Sequence, residues 1–69
     1  MKISRKDILA ALDACNPYDK NLDSFSNSFV FRPPHKRYEI RVRPLARGWE
    51  IKYGRPGRFF NPDIRKMDR

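Results

Sequence analysis

Tyr38-Glu39-Ile40-Arg41-Val42-Arg43 and Trp49-Glu50-Ile51-Lys52-Tyr53 alternate apolar and charged side chains throughout. Alternation sends successive side chains to opposite faces, so each stretch reads as a half-buried strand, and the short segment between them makes the pair a β-hairpin. One register satisfies both faces. It sets Val42 opposite Trp49, Ile40 opposite Ile51 and Tyr38 opposite Tyr53 on the dry side, with Glu39 opposite Lys52 and Arg41 opposite Glu50 on the wet side. Opposite charges across a ladder contribute about 0.2–1 kcal/mol each. A slip of one residue would turn the apolar set toward water. The loop is then Pro44-Leu45-Ala46-Arg47, followed by Gly48.

The preceding stretch, Phe25 to Arg32, also alternates, with Phe25, Phe29 and Phe31 on one face and Ser26, Ser28 and Arg32 on the other. Docked on the hairpin with Phe31 opposite Tyr38 and Phe29 opposite Ile40, it leaves Pro33-Pro34-His35-Lys36 as a turn and sets Arg32 against Arg37. Upstream, Ile8, Ala11, Leu12 and Cys15 recur at helical spacing, widened by Leu9. Ser4 is placed to cap that helix, with Asp7 three residues on and Ile3 and Ile8 positioned as a hydrophobic staple. Asn16-Pro17 ends it. Residues 16–24 are rich in turn formers, with Tyr18 and Leu22 expected to tuck against the helix end. Residues 54–58, Gly-Arg-Pro-Gly-Arg, read as a loop, and Asn61-Pro62-Asp63 as the start of a short final helix over Phe59 or Phe60. The expected fold is therefore α+β: an N-terminal helix on a three-stranded antiparallel sheet (α-β-β-β), with a short C-terminal helix, in one domain of 69 residues.

Such a small domain buries only about 60% of its unfolded surface, which leaves no room for a deep cleft between domains. Cys15 is the single cysteine, so an internal disulfide and a cysteine-based metal site are not expected; the residue reads as a small buried hydrophobe. No apolar run approaches the ~20 residues of a membrane span. The expectation is a cytoplasmic protein with no membrane partner, no cofactor, no metal, no small-molecule substrate and no enzymatic activity.

The net charge is +8. Residues 1–31 balance four Lys or Arg against four Asp, whereas residues 32–69 carry twelve Lys or Arg against four acids, so the whole surplus lies in the second half. Charge this one-sided speaks to partners and not to fold. With Arg41 and Lys52 assigned to ion pairs with Glu50 and Glu39, the cations left over collect at the sheet ends. Arg32, Lys36, Arg37, Arg55 and Arg58 share one end; Arg43 and Arg47 lie at the other. Arginine's planar fork suits phosphate and guanine, and Gly54 and Gly57 allow close backbone approach to a phosphate. The opposed Arg32 and Arg37 break a local rule without visible compensation, as functional sites do.

The order helix, three strands, short helix is similar to that of double-stranded-RNA-binding domains and of small RNA-cleaving toxins built on the same plan. Recombinase arm-binding domains share a three-stranded sheet. The lysine-rich start of the final helix in the first group is replaced here by Asn61-Pro62-Asp63, and the toxins' Gly-Ser-His signature is absent, so no family is assigned.

The sequence thus points to a small basic nucleic-acid-binding protein (for DNA or RNA) that grips the phosphate backbone through Arg32, Lys36, Arg37, Arg55 and Arg58, with Arg43 and Arg47 as further contacts. Two other functions fit the same residues: a module or inhibitor docking on an acidic partner protein, and an RNA-cleaving toxin centred on His35, the sole histidine.

Overall fold

The stripe Ile8, Ala11, Leu12 does form one side of a helix: α1 spans Arg5–Ala14, and these residues are buried together with Cys15. The structure is a computed structural model and describes residues 3–60. Ser4 is the N-cap, with extended backbone, but its side chain makes no cap hydrogen bond. Asp7 takes a different role from the one expected in a capping box. It accepts a hydrogen bond from the Tyr38 hydroxyl, tying the first turn of α1 to the start of the hairpin. Burial, reinforced by this bond, holds the Tyr38 hydroxyl pKa above its ordinary value. Leu22 packs partly on the core, whereas Tyr18 stands 87% exposed and does not tuck in.

The sheet has four strands and not three: β1 (Phe29–Phe31), β2 (Glu39–Pro44), β3 (Trp49–Arg55) and β4 (Arg58–Phe60), antiparallel and in chain order. The segment expected to be a loop is the hairpin joining β3 to β4, with Pro56-Gly57 as its two-residue turn. Ending on a fourth strand, the described order departs from the α-β-β-β plan. The helix expected over residues 61–67 lies outside the described residues. Residues 25–27, read as strand, form a 3₁₀ turn. The turn is closed by Asn27 N–H to the Ser24 carbonyl (3.0 Å) and Ser28 N–H to the Phe25 carbonyl (3.3 Å), and side chains brace it: Asn27 donates to the Asp23 carboxylate (2.9 Å) and the Ser28 hydroxyl to the Phe25 carbonyl (2.8 Å).

Both registers differ from the expected ones by two residues. Val42 pairs with Ile51, Ile40 with Tyr53 and Pro44 with Trp49; on the other side Phe29 pairs with Val42 and Phe31 with Ile40. The cause at the hairpin loop is Gly48, whose φ of +89° belongs in a turn and not in a strand. The loop is accordingly Leu45–Gly48, closed by the Leu45 N–H donating to the Gly48 carbonyl at 2.9 Å. A shift of two keeps every residue on its face, so the core survives the error: Ile8 and Leu12 meet Ile40, Val42 and Ile51, all fully buried. Each such side chain contributes about 1.5–3 kcal/mol. Among the described residues no helix is long and apolar enough to cross a membrane.

Candidate nucleic-acid interface

The shift changes every charge pair on the other face. Arg43, not Arg41, faces Glu50, and its guanidinium donates to both carboxylate oxygens at 3.0 and 3.2 Å and to the Asp23 carbonyl at 3.3 Å. Glu39 pairs with Gly54 instead of Lys52, and its carboxylate accepts from Arg32 at 2.9 Å, with Arg41 at 3.9 Å. Arg32 therefore meets an acid and not Arg37. The opposed arginines expected at positions 32 and 37 do not exist, and with them goes that argument for a site.

Arg41 now stands opposite Lys52, a like-charge pair that destabilises a ladder unless something offsets it. Phe25 and Phe59 do so. Phe25 lies on this face, opposite to where strand alternation had put it, because the 3₁₀ turn breaks the alternation. The Arg41 guanidinium carbon sits 5.5 Å from the Phe25 ring centroid and 5.1 Å from that of Phe59, and the Lys52 ammonium 4.3 Å from Phe25. The two rings meet edge-to-face at 5.4 Å. Cation–π contacts contribute about 0.5–1 kcal/mol each at exposed sites and more when desolvated. This face is ion-paired as expected, though with different partners, and it also carries a cation–aromatic layer that holds Arg41 and Lys52 for structure.

The Glu50 carboxyl is held below its ordinary pKa, first by the hydrogen bond from Arg43 and further by the charges of Arg43 and Lys52, against the opposing effect of burial. A carboxyl depressed in the fold stabilises it above the unfolded pKa, and that stability is lost as pH falls through the folded value. Replacing Glu50 by Gln should thus lower the melting temperature at neutral pH and flatten its decline below about pH 4. Thermal melts over a pH series read this directly.

With Arg43 and Arg32 engaged, the remaining cations sort by position. Arg55 and Arg58 are exposed and directly opposed in the β3–β4 register, flanking Pro56-Gly57. Lys36 and Arg37, also exposed, lie in the connection that enters β2, which the Glu39–Gly54 pair places beside Arg55. None of these four forms an ion pair among the described residues. Arg32 joins them at this end, its side chain 76% exposed despite its contact with Glu39. Arg47 sits exposed at the far end, in the Leu45–Gly48 loop. The Asp7–Tyr38 bond adds something composition did not suggest: it brings the first turn of α1, with exposed Arg5 and Lys6, to the basic end. His35 occupies the turn there with φ of +61°, and the turn is closed by Lys36 N–H to the Pro33 carbonyl at 3.3 Å.

The signal for the Arg55–Arg58 opposition was present as Arg-Pro-Gly-Arg, a two-residue turn between strand ends. No protein-family model, curated protein or solved structure matches this chain.

Proposed function

We propose that the protein binds nucleic acid through the basic end of its sheet, with Arg55, Arg58, Lys36 and Arg37 on the phosphate backbone and Arg32 beside them. The observation that carries this reading is the in-register, exposed Arg55–Arg58 pair. Within the sheet the fold matches Arg32, Arg41 and Arg43 with Glu39, Glu50 or an aromatic ring. Here it sets two together at an edge where another side chain would cost nothing in packing. An anion bound between them turns the repulsion into affinity.

Binding by counterion release must weaken steeply with salt. Gel shifts of the purified protein with duplex DNA, single-stranded DNA and RNA over a salt series test this. Salt-sensitive binding to at least one probe is expected, and no detectable binding at low salt would overturn the proposal. Nuclease-resistant capture of one acidic protein, with no nucleic-acid binding, would point instead to docking on an acidic partner.

A further inference from the structure

The two faces of the β3–β4 hairpin are unequal. Phe59, in register with Gly54, turns to the cation–aromatic layer. Phe60, in register with Tyr53, turns to the side of the sheet that carries α1. However, α1 lies over β1 and β2, and among the described residues its backbone does not come close to that of β3 or β4. Phe60 is consequently 61% exposed and Tyr53 only partly buried. By strand alternation Arg55 and Arg58 share this face, one step along the ladder. Two aromatic rings and two arginines thus form one small surface on a hairpin at the edge of the sheet.

We propose that this surface binds single-stranded nucleic acid, with a base stacked on Phe60 beside Tyr53 and the adjoining phosphate held by Arg55 and Arg58. This rests on the nucleic-acid reading above and narrows it. Backbone cations alone serve duplex and single strand alike. An exposed ring next to them has a use only for a base whose π-face is free, and duplex bases are already stacked. Charge complementarity selects the anion, and the rings select the strand without secondary structure.

The test is fluorescence anisotropy of the full chain with short oligothymidylate, short oligouridylate and a hairpin DNA duplex, comparing wild type with Phe60→Ala, Phe60→Leu and Arg55→Ala. Leucine keeps apolar bulk on the strand and removes only the π-face, so it separates stacking from folding. Both Phe60 variants should bind single strands roughly 5- to 150-fold more weakly, the range that corresponds to loss of one stacked base, with duplex affinity changed less than about twofold. Arg55→Ala should weaken all three probes. The two oligonucleotides report whether the strand is DNA or RNA. If both Phe60 variants leave single-strand affinity intact while Arg55→Ala lowers it, the stacking proposal is wrong and backbone binding stands. If they lower the melting temperature without touching affinity, Phe60 serves the fold and not a ligand, and the proposal is again wrong. Failure of wild type to bind any probe removes both readings together.

Discussion

Replacing Arg55 and Arg58 together by glutamate should reduce affinity for nucleic acid by at least roughly 100-fold at low salt, since each hydrogen bond to a charged partner contributes about 1.5–3 kcal/mol and about 1.4 kcal/mol is tenfold. The fold should tolerate the change, because both side chains are exposed and one like-charge pair replaces another. The single variant Arg55→Glu separates the two properties. It sets an acid opposite Arg58, which should add about 0.2–1 kcal/mol to stability, while binding weakens. A pair whose loss stabilises the fold while weakening binding is suited to the ligand at a cost to the fold. Chemical denaturation and anisotropy on the same preparation read the opposite signs.

The largest effect on the fold is expected at Gly54, between Tyr53 of the core and Arg55 of the basic end. Its φ is +154°, and a Cβ built there would lie 1.7 Å from the Arg58 carbonyl oxygen and 3.1 Å from the Phe59 Cα. Both obstacles are backbone, so no rotamer change relieves them. Gly54→Ala should destabilise the protein by about 2–4 kcal/mol, combining Gly-only backbone strain with overpacking. Against the 5–15 kcal/mol of a typical domain, that is a large share. The loss should fall on β4: amide exchange at Phe59 and Phe60 should accelerate far more than at Ile40 or Val42. An unchanged melting temperature would contradict the close approach of β3 and β4.

Much of the fold was legible in the alternation of 38–43 and 49–53, which has a period of two and so gives faces without giving register. A shift of two residues preserves every face, and only the charges and turns distinguish the alternatives. Charges alone misled, because Glu39–Lys52 with Arg41–Glu50 looks as good on paper as Arg32–Glu39 with Arg43–Glu50. Gly48 could have decided it, since glycine belongs in the loop that the structure closes around it. Phe25 could not have been placed by periodicity, because its turn is held by Asp23, Asn27 and Ser28 side chains. Arg-Pro-Gly-Arg was visible as a turn, but a three-residue strand after it is too short to announce itself. Five cations placed at one end by the wrong register remain at one end in the right one, since strand direction, not register, sets which end a residue occupies.

Arg55 and Arg58 are proposed to bind phosphate while Arg43, paired with Glu50, holds the fold, and the salt dependence of duplex-DNA binding tests that division. Phosphate contacts by Arg55, Arg58, Lys36 and Arg37 should give log K against log[salt] a slope of about −3.6, at roughly −0.9 per contact. Arg55→Ala and Arg58→Ala should each make it shallower by about 0.9, and Arg43→Ala, which breaks the pair with Glu50, should lower the melting temperature and leave the slope unchanged. A slope near zero in wild type, or one that shrinks as much in Arg43→Ala as in Arg55→Ala, would contradict it.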